Sequence, residues 1–492
     1  MAQERGKLGP ARKRPVEVGI ALAGRVAGIA LLVWYFHLFL GHYIDDAFIT
    51  LSYASTLAKF GVWGMAPDLT SNAATSPLNV MLLALIIKII RDPLVSVWFF
   101  NVLLGLLIYN SLRYFSLKIF GGVTFGVLTT ALLLTNPVLN STQGLESYLL
   151  IALVLLACQL WDRQRYRLLG LVLGGLFLTR PDALAVAAVF LGLLLVRKQW
   201  RSSLKVTSFF LIPVLPWLCY SWYHLGSLVP DTLLIKLGEG TWGNYSFFLG
   251  PLVHWRMSPT AMLLSLALAP AVLYLRPDRM GSHQLTGPRA ALFLGLGSYA
   301  ILHFVAYSCL RVPPYHWYYA VEISAVVVFG SLALHDASAT YRSTNLAILA
   351  VLITLSAGFV ISMVRVRKIA SISTNWATPD QFRDMAIWIN QHVLDKRIRV
   401  CGELGTLQYY TDADMINEFS DRTPIVKLLG KPHSRIGGAL LRWNYRHLDI
   451  EDLSEIRFEL AECHAGAKAE MEWTTSTRNV GQHEWCLYKV RP

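Results

Sequence analysis

Residues 42–50 read HYIDDAFIT and follow a mostly apolar run from Val16 to Leu40. That run is long enough to cross a bilayer, too long for the apolar core of a signal peptide, and lacks a small-residue cleavage site. It reads as a first membrane helix that stays in the chain. Two adjacent carboxylates, Asp45 and Asp46, therefore stand where the chain leaves the membrane. Such neighbours repel unless a cation, a proton or a substrate separates them. Residues 47–60 suit an amphipathic helix with Ile49, Tyr53, Leu57 and Phe60 on one face. An Asp ahead of such a helix caps its free N–H groups. Capping accounts for Asp46, the nearer of the two, and leaves Asp45 for chemistry.

The rest of the chain fits a membrane protein. Of 492 residues, 54% are hydrophobic and 15% charged, against roughly 25% charged in soluble domains. Mean hydropathy is +0.45. The net charge of +13 is uneven, since residues 365–492 hold 18 Lys/Arg against 17 Asp/Glu. The excess lies in short loops between apolar runs, a positive-inside bias and not a nucleic-acid footprint.

That bias sets the expected topology. The tail with Arg5, Lys7, Arg12, Lys13 and Arg14 stays in the cytoplasm. The run Pro77 to Ile90 has 14 residues and contains Lys88, so it re-enters or lies in the interface. With that run not crossing, the basic loops near Lys118, Arg163–Arg167, Arg197–Arg201, Arg276–Arg289 and Arg342 all fall inside. The expected spans are 16–40, 94–117, 121–139, 146–161, 167–179, 182–197, 204–224, 258–276, 289–310, 317–335 and 343–364. Few ionisable residues are expected mid-span, Arg25 being an exception. The fold class is then a multi-pass α-helical membrane protein of about eleven transmembrane helices with juxtamembrane helices (residues 1–364). A small extracytoplasmic α/β domain follows (residues 365–492). In that tail, Pro379–Leu394 reads as an amphipathic helix opened by Thr378-Pro379, with Asp380 in its first turn. Arg397–Cys401 and Met415–Phe419 read as strands around a short helix, Leu404–Tyr410. Cys158, Cys219 and Cys309 sit in apolar runs, and Cys463 and Cys486 can bridge if the tail is outside the cytoplasm. The sequons at Asn140 and Asn244 read as chance matches.

Five outward loops collect the polar residues. They are 45–91, NSTQGLES at 140–147, TRPDA at 179–183, HLGSLVPDTLLIK at 224–236 and RVPPYHWYY at 311–319. Asp45 and Asp46 are the candidate catalytic acids. Glu146, Arg180, Asp182, His224, Asp231, Lys236, Arg311 and His316 are candidate substrate-binding residues. Each has a plainer reading: Glu146 as a helix cap, Arg180–Asp182 as a turn-closing pair, and Lys236, Arg311 and His316 as interfacial anchors. Taken together, carboxylates and cations at one face suit a substrate that is both anionic and hydroxyl-rich. A departing phosphate needs Arg or Lys to take up charge, and an attacking hydroxyl needs a carboxylate to accept its proton.

The segments DDAFITLSYASTLAKFGVWG, TSPLNVMLLAL, GLES, RPDA, PDTLLIK and CGELGTLQYYTD, in this order along most of the chain, resemble the GT-C fold glycosyltransferases. The resemblance is to the bacterial branch that contains cell-wall arabinofuranosyltransferases. It implies an inverting transferase of the bacterial cytoplasmic (inner) membrane with its site outside. The expected donor is a polyprenyl-phosphate sugar, with arabinofuranose the first candidate, and the expected acceptor a cell-envelope glycan or a surface glycoprotein. Asp45 would be the base and Asp46 its partner, while Lys236, Arg311 and Arg180 would hold the lipid phosphate. Relatives often carry Asn where this chain has Asp231, an extra carboxylate whose role the resemblance does not explain. No cofactor is required, although a carboxylate pair suits Mg²⁺ or Ca²⁺. The alternatives are a lipid-linked sugar flippase or transporter, which places polar sites mid-membrane on repeated helices, and a non-catalytic scaffold. No repeat is visible.

Overall fold

The computed structural model describes residues 15–239, 241–273, 275, 286–337, 342–367, 370–394, 397–417, 419–431, 435–449, 456–478 and 480–490. The basic tail Arg5–Arg14 and most of the 276–289 loop lie outside them. Among the described residues, five helical stretches are long and apolar enough to cross a membrane: Pro93–Phe120, Trp200–His224, Pro288–Leu310, His316–Ala337 and Leu346–Arg365. The first helix, Pro15–His37, ends three residues before the expected Leu40.

Three expected spans are as short as their apolar runs, and two others are broken. Ser147–Asp162, Tyr166–Thr179 and Leu184–Val196 have 16, 14 and 13 residues. The break between the last two falls at Arg180-Pro181, where Pro ends one helix and opens a 3₁₀ turn. The stretch expected as one span from 121 divides into Thr124–Leu134 and Pro137–Asn140. That expected from 258 divides into Pro259–Leu266 and Ala269–Val272. Pro137, Pro259 and Pro270 each stand in the first turn of a piece, where a missing N–H costs no hydrogen bond.

The short segment after the first helix is more buried than its pattern suggests. The helix Asp45–Phe60 begins at the acid pair itself, and Ala47, Phe48, Leu51, Tyr53, Ala54 and Thr56 are all buried. Phe60, expected on the apolar face, is 61% exposed. The stripe fails because this helix has neighbours on several sides. It packs on the helix Pro77–Ile90, on the hairpin of Gly64–Ala66 and Leu69–Thr70, and on the helix Gly405–Tyr410.

The C-terminal part follows the expected order closely. Thr378 caps the helix Pro379–His392 through a capping box with Gln381. Five strands form one sheet in the order Asp414–Ile416, Arg397–Val400, Phe458–Glu462, Gly481–Lys489, Met471–Thr477. The first three are parallel and the last two join antiparallel. Trp485 and Leu487, both fully buried, are part of its core. Cys463 and Cys486 form a disulfide.

Candidate active site

The acid pair meets the C-terminal domain directly. Asp45 Oδ2 accepts the backbone N–H groups of Leu404 (3.1 Å) and Gly405 (2.8 Å), and Oδ1 accepts that of Thr406 (2.7 Å). Asp45 thus caps the helix Gly405–Tyr410 of another part of the chain, while the helix that Asp46 was expected to cap begins at Asp45 and has Ile44 at its N-cap, without a side-chain cap. Gly405 permits this approach, because a Cβ there would lie 2.2 Å from the Asp45 carbonyl oxygen. Behind the carboxylate is a cavity of about 10 Å³, lined by Tyr43, Ser373, Asn375 and Thr406 among others. It has room for about one water and not for a substrate. With both oxygens taken by N–H donors, Asp45 is poorly disposed to ligate Mg²⁺ or Ca²⁺.

Glu403 completes this junction. It accepts Asn375 Nδ2 at 2.9 Å and the Trp376 N–H at 3.0 Å, and Asn375 Oδ1 accepts the Asp45 N–H at 3.3 Å. Burial and the nearby Asp45 charge push the Glu403 carboxyl well above the usual carboxylate range. Burial also pushes the Asp45 carboxyl up, while the three N–H groups pull it down. Asp46 has a different setting. It is half-buried, and its charge acts on both Glu403 and Tyr318.

Tyr318 connects the acids to the cations. The Arg180 guanidinium lies 5.5 Å from its ring. Arg180 itself donates to Asp182 Oδ1 (3.0 Å), Glu146 Oε1 (3.3 Å) and the Tyr307 hydroxyl (2.7 Å). Glu146 therefore pairs with Arg180, and its side chain does not cap the helix it precedes. The Asp182 carboxylate also accepts the Tyr299 hydroxyl at 2.7 Å and lies 3.4 Å from His303 Nε2. His303 Nδ1 is 2.7 Å from Glu322 Oε1. A continuous chain of charged and polar groups thus runs Glu146–Arg180–Asp182–His303–Glu322.

Lys236 lies on the same side. Its ammonium donates to the Tyr315 hydroxyl at 3.1 Å and sits 4.3 Å and 5.1 Å from the ring centres of Tyr315 and Phe419, cation–π distances. Asp231 also faces the C-terminal domain. Its Oδ2 accepts Arg422 Nε (2.9 Å) and lies 2.8 Å from Nη2 of the same guanidinium, and its Oδ1 accepts Ser227 Oγ (3.1 Å). Burial pushes the Asp231 carboxyl up, and the adjacent Arg422 opposes that shift. This ion pair accounts for the carboxylate that stands where Asn was expected.

Three expected residues stand apart. His224 is exposed and packs on Tyr220. Arg311 is exposed, with left-handed backbone at the end of the helix Ser298–Leu310. His316 is buried beside His254, on a cavity of about 160 Å³ also lined by Phe304, Tyr319 and Glu322. Among the described residues no group of three or more His, Cys, Asp or Glu is disposed to hold a metal ion.

His303 and Glu322 are ionisable residues within apolar runs that the sequence reading did not single out, although such residues in a membrane sequence are a signal of function. Glu403 sits in the CGELG segment already singled out. Tyr318 lies in the RVPPYHWYY loop already singled out, whereas Tyr299, Tyr307 and Arg422 carry no sequence signal, because tyrosines in membrane proteins are common and Arg422 meets Asp231 across 191 residues of chain.

No family model matches the chain, and no curated protein matches it. Solved structures do. ArnT from Cupriavidus metallidurans bound to undecaprenyl phosphate aligns with a TM-score of 0.58 at 14% identity, over 94% of this chain and 98% of that one. The apo state of the same protein aligns at 0.59 and 14% identity, over 95% and 98%. The mycobacterial arabinofuranosyltransferase AftD aligns at 0.41 and 13% identity, over 89% of this chain and 36% of that one. The chain has the GT-C fold.

Proposed function

We propose that this protein is an inverting membrane glycosyltransferase that moves a sugar from a polyprenyl-phosphate donor to an acceptor hydroxyl. The observation that carries the proposal is that Tyr318 lies beside the Arg180 guanidinium and within electrostatic reach of both Asp46 and Lys236. A carboxylate to accept a proton and a fixed ammonium to take up phosphate charge are the groups that such a transfer needs. The undecaprenyl phosphate in the ArnT structure supports the class of donor.

In this reading Asp46 accepts the acceptor's proton as its oxygen attacks the anomeric carbon from the face opposite the phosphate. The new C–O bond forms as the anomeric C–O bond to phosphate breaks, and polyprenyl phosphate leaves with the electron pair. Lys236 takes up the charge growing on that phosphate. Arg180, already bound to two carboxylates, is a wall of the site more than a phosphate ligand. Asp45 does not remove the proton; it fastens the C-terminal domain beside Asp46. Arabinofuranose is the first candidate sugar, on the resemblance of the quoted segments. A cell-envelope glycan or surface protein is the acceptor class. The positive-inside bias and the Cys463–Cys486 bridge support a site outside the cytoplasmic membrane, covered by residues 365–492.

The test is to mix purified protein with a radiolabelled polyprenyl-phosphate pentose and envelope glycan fragments. Label transferred to the glycan is the expected result. Movement of intact lipid-sugar across vesicles, without transfer, would replace this reading with a flippase.

A further inference from the structure

The C-terminal domain carries one helix whose exposed side is apolar and which no described part of the chain covers. Arg435–Asn444 has the largest amphipathic contrast of the helices in that domain. Its Leu440 is 60% exposed and its Trp443 51%. The helix is fastened to the end of a membrane-crossing one. Trp222, near the end of Trp200–His224, donates its indole N–H to the Trp443 carbonyl at 3.1 Å, with the two rings 5.1 Å apart. Asn444 Oδ1 accepts the N–H groups of Leu228 (2.9 Å) and Val229 (3.3 Å). His447 packs on both Trp222 and Tyr223. Gly226, at φ 77°, lets the backbone of Leu448 come close; a Cβ there would lie 2.8 Å from the Leu448 Cα.

The exposed residues Tyr223, Val229, Leu440 and Trp443 thus share one neighbourhood at the end of a membrane helix. Trp and Tyr at such an end sit at the level of lipid headgroups. Charge points the same way. Residues 419–449 hold six Lys/Arg against two Asp/Glu, and Lys427, Lys431, Arg442 and Arg446 are exposed. A short helix with an apolar face and a basic surround lies in the interface of an anionic membrane.

We infer that the helix Arg435–Asn444 is an interfacial anchor, with Leu440 and Trp443 in the headgroup layer of the bilayer that holds the helix bundle, and with Lys427, Lys431, Arg442 and Arg446 on anionic headgroups. The bilayer then holds the C-terminal domain at the same edge where Arg422 grips Asp231. The inference rests on membrane embedding and not on sugar transfer.

The test is spin labelling of full-length protein in nanodiscs, after replacement of the free cysteines Cys158, Cys219, Cys309 and Cys401 by Ser. Labels go at Leu440→Cys, at Leu215→Cys in the membrane helix, and at Lys468→Cys in an exposed turn. The last two report insertion and folding independently of any activity. The ratio of oxygen to nickel-chelate collision rates at 440 should exceed that at 468 several-fold. It should rise further when phosphatidylglycerol is added to phosphatidylcholine. Accessibility to nickel like that at 468 would overturn the inference, as would protection from both reagents, which means a protein partner. No response to phosphatidylglycerol would overturn the role given to the basic residues.

Discussion

Asp45 and Asp46 are adjacent in sequence and differ in what surrounds them. Asp45 is buried under three N–H donors, while Asp46 is half-buried with its charge acting on Tyr318. Asp46→Asn should therefore lower transfer about 10²–10⁴-fold, the usual contribution of a general base, with unchanged thermal unfolding. Asp45→Asn should instead lower stability by about 1–3 kcal/mol, since an amide NH₂ turned toward N–H groups leaves donors unsatisfied. Unfolding midpoints in detergent distinguish the two; a stable, inactive Asp45→Asn protein would return the base to Asp45. Lys236→Ala should raise the donor KM more than it lowers kcat, measured by initial rates over a donor series. At Glu403 the prediction concerns pH. Its folded-state pKa lies well above the ordinary carboxylate value, so the folded state binds more protons than the unfolded one. Stability from this group is full at low pH and is lost as pH rises from the ordinary carboxylate range through the raised value. Melting curves between about pH 4 and pH 8 should show this decline, and Glu403→Gln should flatten it. A wild-type profile rising over that whole range would count against the assignment.

At the scale of elements, the helix Asp45–Phe60 packs both on the helix Pro77–Ile90 of the bundle and on the helix Gly405–Tyr410 of the C-terminal domain. Its first turn supplies a cap to Gly405–Tyr410 in place of that helix's own N-cap residue, Leu404, which makes no side-chain cap. Helix termini need such acceptors for their free N–H groups. The contact requires Gly405, since Asp45 O and Ile49 occupy the space a Cβ would take. Gly405→Ala should cost about 1–3 kcal/mol by forcing these helices apart. Limited proteolysis should then cut the C-terminal domain faster than in the parent protein; an equal cutting rate would show that the junction yields without cost.

Across the whole molecule, the C-terminal domain is joined to the bundle at separate points: Asp45 with residues 404–406, Asp231 with Arg422, and Asn444 with Leu228 and Val229. An ion pair as buried as Asp231–Arg422 is costly to break, about 3–5 kcal/mol for loss of one partner. Bundle and domain should therefore unfold together. Reducing Cys463–Cys486 opens the loop that the bridge closes in the unfolded chain and should lower stability by about 3 kcal/mol for a separation of 23 residues. Calorimetry with and without reductant should show one transition moving down as a whole. Two separated transitions would mean that the contacts do not couple the parts.

Much of the architecture could be read from local sequence. Apolar run length marks helices able to cross a membrane, prolines mark their breaks, and the Thr378–Gln381 capping box and alternation of short segments mark the α/β tail. These features depend on residues a few positions apart, so a linear pattern carries them. The acid pair as a place of interest was legible for the same reason. Which acid is buried was not. That depends on the backbone of residues 404–406, some 360 positions away, and Asp231 likewise takes its meaning from Arg422. The amphipathic stripe predicted for residues 47–60 failed on the same ground, because periodicity counts one buried face and the fold supplied several. Hydrogen-bond partners across the chain are chosen by packing, and only the tertiary structure decided that Asp45 is fastened to the backbone of residues 404–406 while Asp46 stays half-buried beside it.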